Sequence, residues 1–139
     1  MEDKKIFNGR GALSGIVEAE AIVCPESIAG WNGVCDVTGE IIERYHSQRG
    51  KTIKGKILVL PCSKGSNGWS CHFHAAKING CGPAGWIFTQ IDSSAGVAVA
   101  VLDIPTIVGL KEGDPCILIK TGDLIRIDGD KGMVEILNS

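Results

Sequence analysis

Short apolar runs separated by glycine set the rhythm of this chain. Ile16–Val23 alternates well enough to predict a half-buried strand, and the segment 55–61, Gly-Lys-Ile-Leu-Val-Leu-Pro, predicts a fully buried strand stopped by proline. Residues 84–89 predict a third strand. The run 97–102 fits helix or strand. Residues 104–108 read as extended, with Pro105 at a strand start or edge. Residues 116–119, 124–128 and 133–137 complete the strand set, and the turn Asp128-Gly129-Asp130 joins the last two as a hairpin.

Helices are few. One is expected from Ser66 or Ser70 to Asn79, ending at Gly80, a residue suited to the left-handed position past a helix end. A second is expected over 94–102, capped by Asp92, Ser93 or Ser94. Strand–helix alternation in the middle and hairpins at the end predict an α/β fold, layered β/β/α, with a mixed or barrel-like sheet. With 139 residues, no repeat and no linker, the whole of 1–139 is expected to form one domain.

Composition narrows the function. Hydrophobic residues make up 44% of the chain, which excludes a disordered segment. A net charge of −2 argues against nucleic-acid binding, which needs a basic face. No run approaches the ~18 apolar residues of a membrane span. The charged opening Met1-Glu2-Asp3-Lys4-Lys5 lacks a signal-peptide pattern, so a cytoplasmic protein is expected. Six cysteines, none in a CxxC pair, then read as free thiols. Cys24, Cys35, Cys81 and Cys116 are expected as small buried hydrophobes.

The segment with most chemistry is Leu60-Pro61-Cys62-Ser63-Lys64-Gly65-Ser66-Asn67-Gly68-Trp69-Ser70-Cys71-His72-Phe73-His74. A buried strand ends, a small-residue loop follows and a helix begins. Unpaired N–H groups and the positive helix end make such a junction an anion site. Gly65 and Gly68 let a ligand approach the backbone, and Lys64 adds a cation. Walker and nucleophile-elbow patterns are absent. A plain helix cap at Ser66 or Ser70 would use the same residues. His72 and His74 are two apart and diverge on a helix, so they read as one packed and one exposed histidine. Cys62 and Cys71 flank the loop, but cluster ligation by two such thiols is disfavoured. His46 is expected at the surface. Glu18, Glu20, Glu40 and Glu43 receive no role. Trp31 and Trp86 read as packing or interface residues, whereas Trp69 stands where it would wall an apolar or ring-shaped ligand.

An ordered set of motifs resembles a known family. Trp31-Asn32-Gly33-Val34-Cys35-Asp36-Val37-Thr38-Gly39-Glu40-Ile41, then Gly55-Lys56-Ile57-Leu58-Val59-Leu60-Pro61 and Lys64-Gly65-Ser66, is similar to the small subunit of aconitase X. Gly82-Pro83-Ala84-Gly85, Ile104-Pro105-Thr106-Ile107-Val108 and Thr121-Gly122-Asp123-Leu124-Ile125-Arg126-Ile127-Asp128-Gly129 continue the likeness over nearly the whole chain.

The resemblance implies an aconitase-like swivelling domain. It implies a hydro-lyase that eliminates water from a β-hydroxy acid, with a large catalytic subunit as partner. That partner would carry the iron–sulfur cluster or metal ion, this chain binding none. In the wider superfamily a Gly-Ser-Ser-Arg loop supplies a serine base and a substrate-binding arginine. Aligned on it, Ser66 takes the base position, while Asn67 and Gly68 replace the second serine and the arginine. The resemblance thus makes Ser66 catalytic, without carrying over the arginine role, and Lys64, Gly65, Asn67, Gly68, Trp69 and Ser70, around it in the loop, are expected to bind substrate. Bacterial members are associated with cis-3-hydroxy-L-proline and archaeal ones with mevalonate 5-phosphate. A tryptophan in the loop and the lack of an arginine-rich cradle favour hydroxyproline; mevalonate 5-phosphate is the alternative. A phosphohistidine swivel domain is the first rival, but it needs a histidine after His74 and none exists. A non-catalytic binding module is the second.

Overall fold

The computed structural model describes residues 5–65 and 68–138. Seven strands form a closed barrel: β1 (Lys5–Leu13), β2 (Ile16–Val23), β3 (Ile57–Leu60), β4 (Gly85–Phe88), β5 (Thr106–Leu110), β6 (Leu124–Asp128) and β7 (Met133–Asn138). Their order around the barrel is β1-β5-β4-β3-β2-β6-β7. The four neighbours β2, β3, β4 and β5 run parallel. The remaining pairs are antiparallel. Helix α1 (Trp69–Ile78) connects β3 to β4 and α2 (Ser93–Leu102) connects β4 to β5.

Alternation along the parallel strands divides the core in two. Ile57, Val59, Ile87, Ile107, Ile125, Ile127 and Val134 fill the barrel interior. Leu58, Leu60, Trp86 and Phe88 point outward, under Trp69 and Phe73 of α1 and Ala95, Ala98 and Leu102 of α2. A strand covered on both faces must be apolar throughout, which is why Ile57–Leu60 reads as an unbroken run.

Helix α1 buries Trp69, Phe73 and Ala76, the i, i+4, i+7 stripe of a helix lying on a sheet. It stops as its sequence predicts. Gly80 has φ +82°, its N–H reaches the Lys77 carbonyl, and the Cys81 N–H reaches that of Ala76. The run 97–102 is helical and ends at Asp103 in the left-handed region. The final hairpin forms with a four-residue loop, and Asp128 Oδ1 accepts from the N–H groups of Asp130 and Lys131.

Two elements differ from the sequence reading. Residues 116–119 do not form a strand. Asp114 caps a short helix, α3 (Pro115–Leu118), by accepting from the Cys116 N–H, with Pro115 in the first turn. β1 was not anticipated, because Gly9 and Gly11 interrupt its pattern. Both are required there: a Cβ on Gly9 would lie 1.9 Å from the Gly109 carbonyl oxygen, and one on Gly11 would lie 1.8 Å from that of Gly129.

Candidate functional site

Because β2 to β5 are parallel, the segments that follow them gather at one end of the barrel. These are the chain after Val23, the 61–68 loop, residues 89–92 and residues 111–114. Ligands of parallel α/β sheets sit at this carboxyl end. Residues 61–65 lie there, just after the end of β3.

The loop is tied down from both sides. On one, Asp92 precedes α2 and accepts from the Ser63 N–H at 2.9 Å and the Ser63 Oγ at 2.5 Å. Partial desolvation pushes the Asp92 carboxyl up, but the Ser63 hydrogen bonds, together with the Asp92 and Ala95 backbone N–H groups, hold the pKa below its ordinary 3.8. On the other, Glu43 accepts from the Ala29 N–H at 2.7 Å and pairs with Lys64 Nζ at 2.5 Å. A third tie comes from Ser27, whose Oγ donates to the Cys62 carbonyl.

Ser27 is buried and has φ +62°, a left-handed conformation that costs a serine energy unless its surroundings hold it. His46 does part of that. It is buried rather than exposed, which corrects the surface expectation. The Gln48 N–H donates to its Nδ1, so Nε2 carries the proton and donates to the Ser27 carbonyl at 2.7 Å. Glu26 lies 3.3 Å from the same nitrogen.

Ser66 and Asn67 lie outside the described residues, so their expected roles as base and substrate ligand receive no geometry here. Their neighbours are placed. Gly65 has φ +89°, a backbone that favours glycine, and Gly68 is the N-cap of α1. Lys64 is exposed, yet its charge is already matched by Glu43.

Trp69 is corrected. Its side chain is 1% exposed, its Nε1 donates to the Ile28 carbonyl at 2.8 Å, and its ring packs 4.5 Å from Phe73 and 5.5 Å from Trp86. No face is left to wall a ligand. Ser70 is buried beside it. Trp86 is core, whereas Trp31 is 72% exposed with its ring 5.4 Å from His72.

His72 is buried with Nε2 at the Val34 carbonyl, and His74 is partly exposed. Among the described residues no group of three or more His, Cys, Asp or Glu side chains could hold a metal ion. The thiols differ in environment. Burial pushes Cys24 up to about 12 and Cys116 to about 11. Cys35 is only partly buried, and the Thr38 side chain, with backbone N–H groups, lowers its pKa. No described helix is long and apolar enough to cross a membrane.

The family model described as "Aconitase X swivel domain" matches residues 6–136. The chain belongs to the aconitase X swivel domain family. It is 34% identical over 131 residues to a protein of Methanosarcina mazei named phosphomevalonate dehydratase small subunit, covering 94% of this chain and 90% of that one. A Pyrococcus furiosus protein of the same name is 32% identical, covering 94% and 95%. The crystal structure of Thermococcus kodakaraensis aconitase X (holo-form) superposes with TM-score 0.88 at 33% identity, over 96% of this chain and 99% of the matched chain.

Within this aconitase X swivel domain, the sequence pointed to the 61–68 loop but not to what holds it. Glu43 looked like one more solvated carboxylate, and Asp92 looked like an ordinary helix cap. Only the barrel brings residues 29 and 21 positions away onto Ser63 and Lys64.

Proposed function

We propose that this chain is the small subunit of an aconitase-X-type dehydratase and that its substrate is mevalonate 5-phosphate. One observation carries the reading: near full-length similarity to proteins named phosphomevalonate dehydratase small subunit. Hydroxyproline was favoured for a tryptophan that would pack on its ring, and Trp69 is not available for that.

In such an elimination a proton leaves the carbon beside a carboxylate and a hydroxyl leaves its neighbour. A base must come within about 3 Å of that hydrogen. Ser66 is the proposed base. A serine serves only if its alkoxide is stabilised, and the positive end of α1 is suited to that. Asp92, Glu43 and Ser27 fix the stem of the loop, so the loop needs little rearrangement during reaction. Lys64, Gly65, Asn67 and Gly68 are the proposed substrate contacts, with Lys64 shared between substrate and Glu43. The proposed metal or iron–sulfur centre belongs to the large subunit, as the family resemblance implies, and no step on this chain runs through it.

The chain then works only in complex, closing over the large subunit and excluding water from a shared cleft. Trp31 and Tyr45, both strongly exposed on the excursion between β2 and β3, are the proposed anchors for that partner. The test is co-expression with the large subunit and an assay of both substrates. Dehydration of mevalonate 5-phosphate by the complex, and by neither chain alone, supports the reading. Turnover of cis-3-hydroxy-L-proline only, or no stable complex, overturns it.

A further inference from the structure

A cavity of about 530 Å³ opens at the carboxyl end of β4 and β5, lined by Arg10, Thr89, Gln90, Ile91, Gly109 and Lys111 among others. That is room for a small metabolite. It adjoins the candidate loop directly: the Thr89 and Gln90 N–H groups donate to the Leu60 and Pro61 carbonyls, and Asp92 holds Ser63.

Two cations line it. Arg10 and Lys111 are exposed, and neither enters an ion pair among the described residues. The nearest acid in sequence, Glu112, accepts from the N–H and side-chain amide of Asn8, and these bonds, with the neighbouring Lys111 charge, favour its ionised form. Another cavity, of about 470 Å³, has an acid in its own lining. It lies by the start of β3 and contains the Lys56–Glu20 pair, so it brings its own counter-charge. Arg10 lies on β1 and Lys111 in the turn just after β5, where the Lys111 N–H donates to the Asn8 carbonyl and Gly9 pairs with Leu110. The barrel register therefore sets both cations at one mouth. An Arg and a Lys at one cavity suit a doubly charged phosphomonoester, which a guanidinium grips in a fork and an ammonium meets as a point charge.

We propose that this cavity binds the phosphate group of the substrate, with Arg10 and Lys111 as its ligands. The inference rests on the reading of a phosphorylated substrate. It adds the site, on this chain, that selects the phosphorylated form.

The test uses the assembled two-subunit complex carrying Arg10→Gln, Lys111→Gln or both. Both side chains are exposed, so folding is expected to be unaffected, and circular dichroism checks it. KM for mevalonate 5-phosphate is expected to rise about 10- to 100-fold per cation lost, with a much smaller change in kcat. The inhibition constant for inorganic phosphate is expected to rise in parallel. Unchanged KM and unchanged phosphate inhibition in the double variant would overturn the site while leaving the substrate reading standing. If the unaltered complex ignores mevalonate 5-phosphate yet binds inorganic phosphate, and the double variant does not, the substrate reading falls and the anion site stands. Loss of subunit assembly in place of phosphate affinity would assign the two cations to the interface and overturn the proposal.

Discussion

Replacing Trp69 with phenylalanine separates a core residue from a ligand-contacting one. The indole is 1% exposed and lies among Phe73, Trp86 and Phe88, where its Nε1 supplies a hydrogen bond to the Ile28 carbonyl. Phenylalanine keeps one ring and loses the donor. The carbonyl left unpaired in a buried setting costs about 1–3 kcal/mol. Losing the second ring adds a cavity term, for a total of about 2–4 kcal/mol. In a domain of this size each kcal/mol shifts the melting temperature by roughly 4 °C. The expected fall is therefore roughly 8–16 °C, read by thermal unfolding of the isolated chain. In the assembled enzyme at a temperature where the variant is folded, KM should stay close to that of the unaltered complex. An unchanged melting temperature with a large change in KM would refute the core assignment and restore Trp69 to the substrate site.

Other outcomes follow from the ties around the loop. Glu43→Ala removes the acceptor of the Ala29 N–H and the partner of Lys64, with an expected loss of about 1–3 kcal/mol and reduced turnover of the complex; unaltered unfolding and rate would deny the brace. Because the Asp92 carboxyl sits below its ordinary pKa of 3.8 when folded, its stabilisation is present above that value and is lost as pH falls through the lower folded one. Asp92→Asn should therefore be less stable at pH 7 and flatten the acid limb of the stability profile, whereas an identical profile would show that the Ser63 contacts contribute nothing. Alkylation at pH 7.5, followed by mass spectrometry, should modify the lowered Cys35 and the exposed Cys71 well before Cys24 and Cys116, whose pKa values burial raises to about 12 and 11; early labelling of Cys24 would contradict its placement. Trp31→Ala should weaken subunit association by tenfold or more, as expected for an interface tryptophan, and native-mass titration would expose a neutral effect.

Much of this fold could be read from local pattern. Ile57–Leu60 is buried on both faces and looks it, and Gly80 marks the end of α1 because the left-handed turn there demands such a residue. Other features have no local signature. β1 carries Gly9 and Gly11 because neighbouring backbones crowd it there, a condition visible only once the barrel closes. The strand expected at 116–119 ignored Asp114-Pro115, a helix-start pair that outweighs a four-residue apolar run. His46 sits among polar neighbours in sequence but is drawn inward by the strained Ser27 carbonyl. Trp69 misled for a related reason: its position in the loop sequence suggested a ligand, while the first turn of α1 rotates it onto the sheet. The residues that brace the loop were the least legible, because Glu43 and Asp92 act through contacts 21 and 29 positions away.

The central claim is that residue 66 supplies a base to an active site completed by another subunit. Steady-state turnover of mevalonate 5-phosphate by the purified two-subunit complex, with and without Ser66→Ala, tests it most directly. A rate loss of about 10²- to 10⁴-fold or more with stoichiometry and substrate affinity preserved is the result expected for a missing general base. A complex that assembles normally and keeps most of its rate would contradict the claim.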